Sequence, residues 1–387
     1  MNIILFTHPH FLESQSMPRF ASMIQQGMQT RGHTVQVWSP ESFFYSLSVG
    51  QCFKKWLGYL DQFVIFPLQV RSRLKELTAD TVFVFSDQAL GPWVPLLASR
   101  PNVIHINDLL AVRSAMGEFP QNSTTWTGQQ YQAMIRRGLG RGRRFISISE
   151  NTRKDLHRVL LSKPPVSEVV YLGLNFPFHR MSPAIAASYI GKGDLSLPHS
   201  GFLLHVGGNQ WYKNREGVIE IYRAYAEKTA NPLPLLMVGA LPTAALNNLV
   251  LSVPGEGVVR FLTGLSNEQV CAVYSVARLT LFPSLAEGFG WPIAEAMACG
   301  CLVLTTGEAP MTEVGGKAAF YIPPKPMRDI EAWAEHAAGC VAAILALSPE
   351  EVSHRRQIGF DQVAQFDAEQ TLDAYERLYQ QALAVCV

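Results

Sequence analysis

Twice along this 387-residue chain, short runs of β-branched and aromatic residues alternate with longer segments of helical periodicity. In the first half, Asn2–Thr7, Thr34–Trp38, Thr81–Phe85, Val103–Ile106 and Phe145–Ser149 read as strands. Pro18–Thr30, Gln129–Leu139 and Asn151–Leu160 read as helices. Strands apolar at nearly every position leave no face for water, so they predict a parallel sheet covered on both sides. Around Ser182–Ser200 the pattern dissolves into Gly, Pro and Ser, which predicts a linker. It then restarts, with strands at Phe202–Val206, Leu235–Val238, Val258–Phe261, Leu279–Phe282, Cys301–Thr305 and Ala319–Ile322. Helices are expected at Arg215–Thr229, Pro242–Leu251 and Asn267–Ala277, and from Ile330 onward with breaks near Ser348–Pro349 and Phe366–Asp367. The fold class is therefore α/β: two doubly wound domains in tandem with a C-terminal helical tail. Ligands of such sheets bind beyond the carboxyl ends of the strands, at the switch point, and two such domains are expected to face each other across a cleft.

With 48% hydrophobic and 16% charged residues, the chain is too apolar to be disordered. Thr229 to Gly255 is free of charge, but Pro232, Pro234, Pro242 and Pro254 break it, so it does not read as a spanning helix. The opening Met1-Asn-Ile-Ile-Leu-Phe-Thr-His8 lacks a basic stretch and a long apolar core, and cytoplasmic localisation is expected. The six cysteines are scattered and predict buried, reduced thiols. No His-Glu-x-x-His and no Asp-x-Asp occurs, so the sequence gives a divalent ion no obvious seat. Residues 1–180 hold 19 Lys+Arg against 11 Asp+Glu, and residues 181–387 hold 13 against 20. A basic half joined to an acidic half suggests different partners, the basic one facing something anionic. The positive charge gathers mainly in Arg136–Arg144, with little aromatic interleaving, which does not favour a nucleic acid.

The densest chemical signal is Leu281-Phe-Pro-Ser-Leu-Ala-Glu287-Gly-Phe-Gly290-Trp-Pro-Ile-Ala-Glu295-Ala-Met-Ala-Cys-Gly300. A buried strand ends at Pro283–Ser284, a glycine-bearing loop follows, and a helix opens with Pro292 in its first turn. Backbone N–H groups of Phe289, Gly290 and Trp291 at that positive helix end suit an anionic group such as a phosphate. Glu287 on the loop and Glu295 about one turn inside border the same ligand. A carboxylate is a poor neighbour for phosphate, so both point to hydroxyls, as a sugar or ribose offers.

This stretch resembles the donor-binding motif of retaining glycosyltransferases of family 4, in which Glu-Gly-Phe-Gly-x-Pro-x-x-Glu-Ala follows a strand ending in Phe-Pro-Ser. Leu204-His-Val-Gly-Gly-Asn209-Gln-Trp-Tyr-Lys213-Asn214-Arg215 resembles the first strand–loop–helix of the family's second domain. There the resemblance implies that Lys213 contacts the donor diphosphate, with Asn214 beside it. Asn209 stands where the family often has an arginine, and Arg215 compensates only if it points toward the ligand. Phe261-Leu-Thr-Gly264 resembles the strand end that cradles the nucleotide base, and Ile146-Ser-Ile-Ser149 the junction in the first domain that faces the same cleft. Ala374-Tyr-Glu-Arg-Leu-Tyr379 fits the final helix, which in the family crosses back onto the first domain.

The resemblance implies the GT-B fold, with an acceptor-side domain at 1–180 joined by 367–387 and a donor domain at 181–366. It implies transfer of a sugar from a nucleotide-sugar to an acceptor hydroxyl with retention, without a metal or other cofactor, in polysaccharide or glycoconjugate synthesis. Glu287 would hold the transferred sugar and Glu295 the ribose, while Lys213 and the helix end at Phe289–Trp291 take the leaving diphosphate's charge. The first domain departs from the family. Asn107 stands at its usual histidine after the fourth strand, and His105, on the same strand face, would substitute after a small shift of register. The loop Thr7-His-Pro-His10 to Pro18 lacks the Gly-Gly pair of many relatives. Partners are then a nucleotide-sugar and a carbohydrate or lipid-linked acceptor, with Arg136–Arg144 a possible contact to an anionic membrane face. The rival readings are a sugar-nucleotide epimerase on the same fold and a catalytically silent nucleotide-sugar binder, which Asn107 supports. A phosphorylase would need a pyridoxal-bearing lysine that is not found, and no Gly-x-Gly-x-x-Gly opens either domain for a nicotinamide.

Overall fold

The computed structural model describes residues 1–11, 16–47, 50–78, 80–160, 162–190 and 201–384. The chain divides into two compact units: Met1–Leu172 with Ala368 onward, and Gly173–Asp367. Residues 173–181 pack with the second unit, where the Met181 amide donates to Ser275 Oγ at 3.0 Å and Phe178 meets Tyr274 edge-on at 6.2 Å.

The first unit is built on six parallel strands, β1 (Asn2–Phe6), β2 (Thr34–Trp38), β3 (Thr81–Phe85), β4 (Asn102–Ile106), β5 (Arg144–Ser147) and β6 (Val166–Val169), in the order β2-β1-β3-β4-β5-β6. β1, β3 and β4 are the apolar runs of the sequence and are buried at almost every position. Register places Phe6 opposite both Trp38 and Phe85, so three aromatic rings meet across the sheet, Phe6 stacking on Phe85 at 4.7 Å. Each such ring is worth roughly 1.5–3 kcal/mol of burial. The C-terminal helix Ala368–Ala384 lies against β3, β4 and the helix Ser16–Thr30 of this unit. Leu372 rests on Gly27, where a Cβ would come within 2.5 Å of it.

The second unit repeats the plan with β7 (Leu203–Gly207), β8 (Leu235–Gly239), β9 (Val259–Leu262), β10 (Leu279–Phe282), β11 (Val303–Thr306) and β12 (Phe320–Ile322), all parallel, in the order β12-β11-β10-β7-β8-β9. Counted from its own first strand this is 3-2-1-4-5-6, the Rossmann order, whose switch point lies between β7 and β10. At the ends of β7 and β8 the backbones nearly touch. A Cβ on Gly239, which sits at φ 141°, would lie 2.1 Å from the Gly207 carbonyl, so only glycine fits. The tail breaks where expected, Ser348 closing one break with a capping box to Glu351.

Several elements depart from the sequence reading. Pro183–Ile190, expected as linker, is helical, while residues 191–200 lie outside the described set. The edge strand Val166–Val169 and the continuous helical stretch 51–73 had no counterpart in the reading. Cys271, Cys299 and Cys301 are buried and free, as expected, and Cys340 is half-buried and free.

Candidate functional site

The switch point of the second sheet brings two loops together. After β7 the chain runs through Gly208–Gln210 into a single 3-10 turn, Trp211–Lys213, and then into the helix Arg215–Glu227. After β10 it runs through Pro283–Gly290 into the helix Trp291–Ala298. The Leu285 amide donates to the Tyr212 carbonyl at 2.8 Å, tying one loop to the other. Between them Lys213 Nζ donates to both oxygens of Glu287, at 2.8 and 3.0 Å. Ser284 Oγ donates to Glu287 Oε1 at 2.9 Å, and Thr306 Oγ1 holds the Ser284 carbonyl at 2.7 Å. The ammonium also lies over the rings of Phe282 (5.1 Å) and Tyr212 (5.4 Å). Glu287 is buried, so this is a charge pair removed from most of the solvent, with a third hydrogen bond orienting the carboxylate.

Gly290, at φ 103°, caps the helix Trp291–Ala298, and Pro292 occupies its first turn. The helix's positive end thus opens at the same loop as Glu287, as the sequence suggested. Phe289 is buried against the ring of Phe366 at 5.2 Å, so its side chain serves packing and only its backbone faces the helix end. Trp291 is half-buried and its indole Nε1 has no acceptor among the described residues. Glu295, one turn further, accepts from Tyr274 Oη at 3.1 Å. Removal from solvent pushes its carboxyl up to about 7, against the pull of Tyr274 and of the Lys213 charge. Beneath the site His205 donates from Nδ1 to the Leu281 carbonyl at 2.9 Å, and burial lowers it to about 3, so it is a neutral core histidine.

Arg215 turns back over its own loop. Its Nη1 donates to Asn209 Oδ1 and to the Ala240 carbonyl (3.0 Å), and its guanidinium lies 5.4 Å over the Phe261 ring. Asn209 Nδ2 donates to the Leu241 carbonyl at 2.8 Å, so the two residues clamp the β7 loop to the end of β8. Arg215 is only 4% exposed, yet Nε and Nη2 have no acceptor among the described residues. Gly264, at φ 70°, turns the chain after β9 with open space where a side chain would be.

Two residues read as ligand contacts are helix caps. Asn214, at φ 50°, accepts from the Gly217 amide at 3.2 Å and donates to the Pro283 carbonyl at 2.8 Å; it is buried with both polar atoms satisfied. Ser149 caps the helix Glu150–Val159 of the first unit by accepting from the Thr152 amide at 3.0 Å, and it is fully buried. His105 also departs from its expected role. It is wholly buried, its Nε2 hydrogen-bonds Tyr379 Oη at 2.7 Å, and Phe20 and Tyr375 pack edge-on against its ring. Desolvation lowers it to about 3. Its strand face is the one the C-terminal helix covers, so it cannot stand in for Asn107.

Asn107 lies instead in a polar cluster at the switch point of the first sheet, between β1 and β3. Its Nδ2 donates to the Ser86 carbonyl (3.0 Å) and to Asp87 Oδ2 (3.1 Å), and its amide donates to Gln88 Oε1 (2.9 Å). His8 Nε2 lies 3.2 Å from the other carboxylate oxygen, Oδ1. An imidazole and an amide therefore share one buried carboxylate. Sequence reasoning missed Asp87 and His8. The available signal was a Ser-Asp pair directly after the fully buried β3 and a histidine two residues past β1, both at carboxyl ends. Of the basic run, Arg137, Arg141 and Arg143 are exposed. Among the described residues no three His, Cys, Asp or Glu side chains gather as a metal site.

Residues 196–338 match the family described as glycosyl transferases group 1. Over 252 residues the chain is 28% identical to the O-antigen chain mannosyltransferase B of Escherichia coli, covering 63% of each protein. It is 29% identical over 143 residues to the serotype-specific mannosyltransferase WbdA of Escherichia coli, covering 36% of this chain and 17% of that protein. The match thus spans less than two thirds of either relative. The fold is similar to sucrose-phosphate synthase from Thermosynechococcus elongatus (TM-score 0.74, 18% identity, all of both chains). It is also similar to Anabaena HepE in complex with UDP and glucose (TM-score 0.68, 14% identity, 98% of this chain and 100% of that one).

Proposed function

We propose that this chain, a group 1 glycosyltransferase of the GT-B fold, moves a hexosyl group, with mannose the first candidate, from a nucleotide-sugar to a hydroxyl of a growing polysaccharide. The Lys213–Glu287 pair at the β7–β10 switch point carries the reading: it sets a cation for a diphosphate and a carboxylate for sugar hydroxyls side by side. The named relatives suggest mannose and an O-antigen-like acceptor.

In this reading Lys213 and the positive end of the helix Trp291–Ala298 take up charge as the glycosidic bond to the diphosphate breaks. Arg215, with two N–H-bearing atoms unsatisfied among the described residues, supplies the second cation that Asn209 cannot. Glu287 orients the transferred sugar, and Glu295, steadied by Tyr274, accepts from the ribose hydroxyls. The acceptor side belongs to His8, Asp87 and Asn107, where Asp87 holds an imidazole close to the place that Asn107 leaves without one. Transfer proceeds with retention and without a metal, the leaving diphosphate taking the acceptor's proton.

The test is turnover of GDP-, UDP- and ADP-linked mannose and glucose with an acceptor glycan, with and without a chelator, the anomeric product read by NMR. One donor consumed only in the presence of acceptor, unaffected by chelator and giving the donor's own anomeric configuration, supports the whole reading. Donor conversion without acceptor would point to an epimerase. Binding without turnover would favour the silent reading, which the engagement of Asn107 with Ser86 and Asp87 keeps in play.

A further inference from the structure

The helical stretch 51–73 is apolar on two opposite sides, and the first unit buries only one of them. Gly58, Gln62, Phe66 and Val70, four residues apart, face inward, Phe66 and Val70 within the core. Trp56, Leu60, Val64 and Leu68, also four apart, face outward with Phe53 a turn before them, each 42–67% exposed. In an α-helix positions four apart drift by about 40° per step, which would wind these five side chains through roughly 120°. The π-helical turn Asp61–Ile65 interrupts that drift. At roughly 4.4 residues per turn it rotates the stripe back and keeps the five within roughly 60°.

The turn is built in. Trp93 Nε1 donates to the Gln62 carbonyl at 2.9 Å and Gln62 Nε2 to the Gly58 carbonyl at 3.0 Å. Asp61 accepts from the Phe44 and Tyr45 amides at 2.9 Å each, pinning beside the helix a loop that carries exposed Phe43 and Leu47. Positive charge brackets the stripe: Lys54 and Lys55 in its first turns, Arg71 and Arg73 in its last, and Lys75 just after. Asp61 is the one acid between residues 50 and 75, and it is spent on the loop amides.

We infer that this face docks the first unit onto an anionic lipid bilayer surface, with the aromatic and aliphatic stripe at the acyl boundary and the flanking cations at the headgroups. At ~150–250 Å² per large side chain, the stripe's exposures amount to on the order of 500 Å². That is the size of the largest apolar patch a monomer carries, roughly 300–600 Å² and often functional, and it falls short of the ~800 Å² per partner of a stable protein interface. A second copy would also bring its own cations against these. The inference does not depend on the reaction proposed above.

The full chain is floated with phosphatidylcholine vesicles, with and without phosphatidylglycerol, at low and high salt, beside two variants: Trp56→Ser/Leu60→Ser/Leu68→Ser, at exposed positions, and Lys54→Gln/Lys55→Gln. The expected result is flotation only with the anionic vesicles, weakened by salt. The first variant abolishes it, and the second weakens it roughly 25-fold, or fivefold per cation. An unchanged melting temperature shows that both variants fold. No flotation of the wild type, or equal flotation of the triple variant, overturns the inference. So does a concentration-dependent dimer in sedimentation that the triple variant abolishes, which would assign the face to a second copy.

Discussion

If Glu295 binds the donor's ribose as proposed, donor binding depends on pH in a calculable way. Its carboxyl is held at about 7, mainly by removal from solvent. If the ribose hydroxyls are taken by the carboxylate, the binding-competent form is about 91% of the free enzyme at pH 8 and about 9% at pH 6. Donor KM should then rise about tenfold between pH 8 and pH 6, while kcat at saturating donor changes little. The donor does not confound the measurement, because the phosphates of a nucleotide-sugar are diesters that stay ionised across this range. Glu295→Gln should flatten the profile at a uniformly high KM, since an amide oxygen still accepts but carries no charge. Tyr274→Phe removes a hydrogen bond that lowers the carboxyl's pKa, so the midpoint should move up. Initial rates against donor concentration at half-unit pH steps are sufficient. A flat KM in the wild type, or a tenfold rise that survives in Glu295→Gln, would refute the reasoning. The same shift has a sign for stability. A carboxyl raised in the folded state favours folding below its unfolded value, and that contribution disappears as pH rises through about 7. Without donor, the Glu295→Gln variant should therefore gain thermal stability on the wild type above pH 7 and lose that gain near pH 5.

Lys213→Met leaves the buried Glu287 carboxylate with Ser284 alone, and the melting temperature should fall by about 6–12 °C, for a cost of ~3 kcal/mol in a unit of this size. Adding Glu287→Gln should restore most of it in calorimetry, whereas additive losses would mean the pair is not coupled. Glu287→Gln alone should lower kcat far more than it raises donor KM if the carboxylate orients the reacting sugar as proposed; an effect on KM only would remove it from that role. Asn214→Ala loses a helix cap, a bond to Pro283 and a left-handed residue's natural side chain, and should cost about 2–3 kcal/mol in denaturant unfolding. His105→Asn should destabilise by about 1–3 kcal/mol by stranding Tyr379, while kcat per folded molecule stays at the wild-type value.

The strands at the centre of both sheets were legible because burial on both faces demands unbroken apolar runs, and Thr81–Phe85 and Leu235–Gly239 leave no other reading. The edge strand Val166–Val169 was not, since Val-Ser-Glu-Val meets solvent on one side and carries a polar pattern shared with loops. The stretch 51–73 escaped because its apolar residues occupy both sides and a π turn breaks the 3.6-residue period. In the site, Lys213 and Glu287 were readable from local motifs, but their pairing required knowing that β7 and β10 are neighbours. The His8–Asp87–Asn107 cluster draws on three segments that only the strand order gathers. Ser149 and Asn214 turn out to cap helices, which the sequence does not separate from ligand contact for a chemical reason: a small side chain that accepts a backbone hydrogen bond serves a helix end and a ligand equally well.

If Lys213 and Glu287 hold a sugar diphosphate as proposed, their mutual neutralisation sets what the pocket ignores. A bare ammonium in a cleft would be occupied by any passing phosphate or carboxylate, and every turnover would begin with its eviction. Here a small anion must pull Lys213 off its buried partner and offers Glu287 nothing in return. A sugar diphosphate would bring charge for one and hydroxyls for the other, so both ends of the pair would be re-satisfied together. In that reading the ion pair acts as a two-key lock, and inorganic phosphate should be a poor competitor even where it greatly outnumbers the donor.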